Sequence, residues 1–144
     1  MATVRAVPAP ISDTDIKVRA LMQEFARAFN GSDFETLKAL YVNDAVVLPP
    51  HQRPAPGIMA ICELHRWLRE GGESDLNIEV TRMIESNELV VVLGNYTIHN
   101  RLPNGSTIMD RGKEFAVLQH QPNGEYRFLV LGWSSDLPPM PVVH

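Results

Sequence analysis

The sequence predicts an α+β fold: three helices with one short strand among them, then four long antiparallel strands. Three observations carry this. Apolar residues recur at helical spacing in three stretches before Gly71-Gly72. From Asp75 onward the period shortens toward two, as in strands. Asn104-Gly105 and Asn123-Gly124 each sit between β-rich runs, a strong short-range hairpin signal. Helices segregated from an antiparallel sheet define the α+β class.

Residues 1–12 carry Pro8 and Pro10 and no periodicity, and are expected to form a flexible arm. Ser12, with Asp15 three residues on, makes a capping box. Ile16, Ala20, Leu21, Phe25, Ala28 and Phe29 then give an amphipathic helix over 13–30, stopped by Asn30-Gly31. Ser32 with Glu35 reads as a second capping box, opening a short helix through Leu37, Leu40 and Tyr41. After Asn43-Asp44, Ala45–Leu48 is a short apolar strand. Pro49, Pro50, Pro54 and Pro56 stiffen the next loop, which carries His51 and Arg53. A third helix follows Gly57, with Ile58, Ile61, Leu64, His65 and Leu68 along one side and Trp67 near its end. Leu76, Ile78, Val80 and Ile84 mark a strand, Ser86-Asn87 a turn, and Leu89–Asn100 the next strand. Two more strands flank Asn123-Gly124, and Leu137-Pro138-Pro139 ends regular structure. Nothing divides the chain, so one domain is expected over 13–139, with a tail at 140–144.

A chain of 144 residues can bury one real core. Net charge is -4 with no basic run, which argues against nucleic acid and anionic membrane as partners. The single cysteine, Cys62, excludes an internal disulfide and fits a reducing compartment. The stretch MATVRAVPAP lacks the apolar core of a secretory signal, and no apolar run approaches the ~20 residues of a membrane span. The expected compartment is the cytoplasm.

If both Asn-Gly pairs form two-residue turns, the sheet register follows. His99 then faces Asp110, Asn95 faces Glu114, Leu93 faces Ala116 and Val91 faces Leu118. Across the second turn Glu114 faces Trp133, Ala116 faces Leu131 and Leu118 faces Leu129. Alternation puts these residues on one face, apolar at one end and polar at the other. The opposite face would carry Val90, Val92, Tyr96, Ile98, Phe115, Val117, Phe128 and Val130. One set of helices covers one face only, so the expected cover for the second is another copy of the chain, a homodimer.

The segments FARAFNGSDFETLKALYVNDAVVLPP, NELVVVLGNYTIHN and GKEFAVLQHQPNGEYRFLVLGWSSDLPP resemble the SnoaL-like branch of the nuclear-transport-factor-2-like superfamily. The resemblance covers roughly residues 13–139. Its motifs are the Asn30-Gly31-Ser32-Asp33 turn, Tyr41, Asp44 and Ala45 before the first strand, and the closing Trp133, Ser135 and Asp136. It implies a cone, a curved sheet wrapped around the long helix with a pocket inside, usually dimerising through the sheet's outer face. Such proteins include steroid isomerases, polyketide cyclases, epoxide-hydrolase-like enzymes, dehydratases and non-catalytic binding modules, so fold alone does not select among them. The steroid isomerases' helix tyrosine aligns with Phe25 and their base aspartate with Pro49, while their second acid falls near Glu114. Of the epoxide hydrolases' aspartate–arginine–aspartate relay, Asp110 and Arg111 are present but adjacent, hence on opposite faces. An arginine and aspartate common in close relatives correspond to Leu93 and Leu131.

Glu114, amid Phe115, Val117 and Trp133, reads as a desolvated acid/base. It reads equally as a carboxylate tied to the Trp133 indole N–H or to Asn95. His99 with Asp110 reads as an oriented base or as an ordinary cross-strand pair. His51 lies close to where related enzymes keep their base, or is a solvated loop histidine. Phe25, Leu48, Trp67, Leu93, Asn95 and Trp133 are expected to shape the pocket. No HxH, HxxxH or CxxC spacing and no glycine-rich phosphate loop is present, so no metal or cofactor is expected. The function expected is binding of a small apolar molecule, with cofactor-independent isomerase, cyclase or hydrolase chemistry on Glu114, assisted by His99–Asp110 or His51. The alternative is a non-catalytic ligand-binding or assembly module.

Overall fold

The computed structural model describes residues 2–6 and 12–138, with only the backbone of Thr3–Ala6. The remainder of the expected arm, Pro139 and the expected tail lie outside the described residues.

Helix α1 (Asp13–Asn30) begins on the expected capping box: Ser12 Oγ accepts from the Asp15 N–H at 3.2 Å, and Asp15 accepts from the Ser12 N–H at 3.1 Å. Its buried stripe runs through Val18, Leu21, Met22, Phe25, Ala28 and Phe29. The stop takes one residue more than Asn30-Gly31. Ser32, not glycine, adopts the left-handed conformation (φ 52°), and the N–H groups of Ser32 and Asp33 return to the carbonyls of Phe29 and Ala28. Ser32 is therefore spent on closing α1. Asp33 caps α2 (Phe34–Ala39) instead, accepting from the Thr36 N–H at 3.2 Å, so the expected Ser32–Glu35 box does not form. Helix α3 (Gly57–Glu70) buries Ile61, His65 and Leu68.

Among the described residues seven strands form one curved, open sheet in the order β1-β4-β5-β6-β7-β2-β3. They are β1 (Thr3–Ala6), β2 (Tyr41–Leu48), β3 (Ala55–Pro56), β4 (Glu73–Ser86), β5 (Leu89–Arg101), β6 (Thr107–His120) and β7 (Tyr126–Ser135). Two short strands thus join the five expected. Within the expected arm, β1 pairs with the edge of β4. The early strand β2 starts at Tyr41 and runs parallel to β7. Helices α1 and α3 cover the concave face.

The turns decide which side chains face them. Both Asn-Gly pairs follow a proline, and both loops hold three residues. Leu102 N–H donates to Ser106 at 2.7 Å and Gly105 N–H to Leu102 at 2.9 Å; Gln121, Gly124 and Glu125 repeat the pattern. Gly105 and Gly124 take the positive φ (85° and 88°). A two-residue turn would put Pro103 or Pro122 where a ladder N–H must donate, and proline has none.

The extra residue slips β5 by one place against β6. Gly94, not Asn95, faces Glu114; Met109, not Asp110, faces His99; Phe115 faces Leu93 and Ala116 faces Val92. Strand side chains have period two, so the slip turns all of β5 over. Val90, Val92, Tyr96 and Ile98 are buried inside, whereas Leu93, Asn95 and His99 point outward. On β7 a bulge at Leu129 restores the expected register beyond it: Leu118 pairs with Phe128, but Val117 with Val130, Ala116 with Leu131 and Glu114 with Trp133. Phe128 consequently belongs to the core, fully buried against Phe25 and Tyr41.

Candidate functional site

A cavity lies between α1, α3 and the concave face of β4–β7. Phe25 and Phe29 come from α1, His65 and Leu68 from α3, and Leu76 and Ile78 from β4. Tyr96, Ile98, Leu131 and Trp133 complete the largely apolar wall, with Glu73 and Glu114 set into it. The void measures about 510 Å³ with its open mouth. Glu73, Leu76, Ile78 and Trp133 are partly exposed and form the rim, while Phe25, His65, Tyr96 and Glu114 are buried.

Glu114 sits on β6 between Gly94 and Trp133. A Cβ on Gly94 would lie 3.1 Å from Glu114 Oε1, so the glycine leaves the carboxyl its room. Glu114 is 6% exposed and its Oε1 has no hydrogen-bond partner among the described residues. Burial pushes its pKa up to about 8, so the carboxyl is mostly protonated at neutral pH. Neither structural partner weighed for it is engaged: no bond forms to the Trp133 indole, and Asn95 lies on the other face.

Two groups that the sequence reading did not select join Glu114. His65 has its Nε2 2.8 Å from the Tyr41 hydroxyl and its Nδ1 buried without a partner among the described residues. Burial pushes it down to about 4, so the imidazole is neutral. Its place on the apolar stripe with Ile61 and Leu68 was visible in the sequence, but that pattern also fits plain core. Glu73 at the rim is raised to about 7, mainly by burial and then by the charge of Asp110.

The other candidates disperse. Asp110 is on the concave face, accepting from Ser135 Oγ at 2.5 Å and from the Tyr96 hydroxyl at 3.2 Å. It buttresses the wall rather than pairing with His99. His99 bonds Asp75 at 2.8 Å on the convex side. His51 is exposed on the proline-rich loop, in a left-handed conformation (φ 60°) and away from the cavity lining. Of the expected pocket residues, Phe25 and Trp133 line the cavity. Trp67 is 59% exposed on the outer side of α3, and Leu48 is 37% exposed. Leu93 and Asn95 are turned away by the register. Among the described residues no three His, Cys, Asp or Glu side chains come together as metal ligands. No helix of the described residues is long and apolar enough to cross a membrane.

Comparison with curated proteins gives no match. Solved structures share the fold at low identity. A ketosteroid isomerase-like protein from Erwinia carotovora atroseptica SCRI1043 superposes with TM-score 0.77 at 20% identity, covering 89% of this chain and 100% of that one. An NTF2-like superfamily protein from Salmonella enterica serovar Typhimurium LT2 gives 0.72 at 15%, covering 88% and 95%. An NTF2-like protein with a cystatin-like fold from Novosphingobium aromaticivorans gives 0.64 at 15%, covering 89% and 92%. Residues 22–122 match the SnoaL-like domain, so the chain belongs to the SnoaL-like family within the NTF2-like fold.

Proposed function

We propose that the cavity binds a small, largely apolar molecule and that Glu114 is the acid/base of a proton transfer on it, of the isomerase, cyclase or hydrolase kind. The observation that carries this reading is the buried, unpartnered Oε1 of Glu114 in an apolar wall. A protein core leaves such an atom unsatisfied at a cost of roughly 1–3 kcal/mol. A mostly protonated carboxyl donates first: its proton goes to a ligand oxygen and returns when the product forms. Glu73, half-buried at the rim and titrating near neutrality, is placed to exchange protons with solvent.

The test is a screen of single-ring ketones, epoxides and phenols by ligand-observed NMR, followed by turnover of each binder. Glu114→Gln keeps shape and a hydrogen-bond donor but cannot transfer a proton. We expect turnover to fall by roughly 10²–10⁴ while binding changes little. Unchanged turnover removes Glu114 as the acid/base. A cavity that admits no ligand leaves the assembly role.

The working form we propose is a homodimer in the cytoplasm. The convex face still carries an apolar patch after the register correction: Val91, Leu93, Val117 and Val130, all partly exposed, with Phe115 exposed. Phe115 lies over Gly132, where a Cβ would come within 2.6 Å of its ring. A second copy is the simplest cover for such a patch. A monomer in light scattering at micromolar concentration removes this proposal.

A further inference from the structure

The start of β4 forms one side of the cavity mouth. Two rim residues, Glu73 and Leu76, lie there, just after Gly71-Gly72. The ladder to β5 is interrupted in this stretch. Ser74 pairs with His99 and Asn77 with Thr97, so Asp75 and Leu76 together stand opposite the single residue Ile98. Asp75 takes the left-handed conformation (φ 55°) that such a bulge favours glycine for. Among the described residues, β1 covers the other edge of β4 from Arg82 to Glu85 and not at this end. At Leu76 a side chain stands in for the missing strand. Asn30, the last residue of α1, accepts from the Leu76 N–H at 2.8 Å and donates to the Leu76 carbonyl at 3.0 Å. The Arg69 guanidinium donates to Ser32 Oγ at 3.0 Å and also to the Glu73 carbonyl. On the convex side the exposed Asp75 bonds His99.

We infer that Glu73–Leu76 is a strap across the cavity mouth, hinged at Gly71-Gly72 and latched to α1 by Asn30, and that it swings out to admit a ligand. One side-chain amide, one guanidinium and one exposed ion pair do here what a neighbouring strand does elsewhere in the sheet. Opening also gives up two ladder pairs, Glu73 with Asn100 and Ser74 with His99, and leaves β5, β6 and β7 joined to one another. The hinge needs its glycine. Gly72 has a φ of 104°, and a Cβ there would come within 2.7 Å of the Arg101 Cβ. The swing carries Leu76 off the apolar wall and Glu73 toward solvent, which widens the mouth. Asn30 does not line the cavity and acts as a positioning residue. Ligand entry rests on the cavity being the ligand site, whereas opening of the strap does not.

The test uses the full chain and begins with amide hydrogen exchange followed by NMR. The Leu76 N–H, bonded to Asn30, reports the latch. Val92 and Ala116, fully buried at the centre of the sheet, report global unfolding. We expect Leu76 to exchange at least about 100-fold faster than those two in the wild type, at a rate that dilute urea does not change. Exchange of Leu76 together with Val92 and Ala116, with their urea dependence, overturns the inference whether or not any variant folds. Asn30→Ala removes both bonds to Leu76, so Leu76 exchange should rise roughly 10- to 100-fold. No rise overturns the latch. Toluene, a neutral apolar probe, is then titrated into both proteins and its rates are read from NMR line shapes. Gated entry should speed association and dissociation together in Asn30→Ala, by about tenfold or more, with affinity nearly unchanged. Equal association rates beside faster Leu76 exchange overturn the strap as the way in and leave the cavity standing as the site. Failure of toluene to enter either protein overturns the gate and the functional reading together.

Discussion

Glu114 imposes a pH dependence on folding that can be worked out from its surroundings. Its carboxyl titrates near 4.5 as an unperturbed group and is pushed up to about 8 in the folded chain by burial. Below pH 4.5 both states hold the proton and Glu114 contributes nothing. Between 4.5 and 8 the unfolded chain releases it and the folded chain keeps it. The unfolded state then binds fewer protons, so stability falls as pH rises, by about 1.4 kcal/mol per pH unit. Above 8 both states are ionised and the loss levels off. The whole loss is about 5 kcal/mol, comparable with the entire stability of many domains. Glu114→Gln cannot ionise and escapes it. Urea denaturation of both proteins from pH 5 to 9 measures the difference. We expect the variant's stability relative to wild type to rise by about 4 kcal/mol across that range. Glu73, whose raised pKa gives a slope of the same sign, is present in both proteins and drops out of the comparison. Parallel curves would refute a buried, unpartnered carboxyl at this position.

The acid side should belong to His65. Its pKa is pushed down to about 4 by burial, so the unfolded chain takes up the proton first as pH falls below 6.5. Stability should drop by about 3 kcal/mol between pH 6.5 and 4, and His65→Asn should flatten that limb in the same denaturation series. An unflattened limb would assign it to other groups. Gly94→Ala should destabilise the fold by roughly 1–3 kcal/mol in thermal melts, because the new Cβ would stand 2.5 Å from the Glu79 carbonyl oxygen, a backbone atom. The Cβ would also press on Glu114 Oε1, so the Glu114 pKa followed by ¹³C NMR should move. A variant with wild-type stability would show that β4 yields at this point.

Much of the candidate site was legible, and the parts that were not share one cause. Glu114 stood out because a carboxylate between apolar neighbours on a strand is costly unless used. Trp133 was placed opposite it correctly, although two deviations combined to give that answer: a three-residue turn and a bulge at Leu129 cancel beyond Val130. No such cancellation occurs between β5 and β6. Tyr96 and Ile98 were therefore assigned to the outside, and Asn95, His99 and Leu93 to the inside. The sign was available in Pro103 and Pro122, each of which excludes the two-residue turn by lacking an N–H. His65 was harder. A histidine on an apolar helix stripe gives no hint whether its ring nitrogens are satisfied, and only the packed positions of Tyr41 and the cavity show that one is not.

By itself the sequence determined the order of the three helices and five main strands, the extent of α1 with its Ser12–Asp15 box, both hairpins and the α+β class, because these depend on local periodicity, capping and turn chemistry. It also pointed to the family and to the residue on which the proposed chemistry rests. Tertiary structure decided which face each strand presents, the seat of the α2 cap at Asp33, and the company Glu114 keeps. Those outcomes turn on single-residue offsets. A strand's side chains alternate with period two, so one extra residue in a loop exchanges the inside of a strand for its outside. His65 and Glu73 reach the cavity from separate elements and Tyr41 backs His65 from a third, and nothing in their spacing along the chain encodes that meeting.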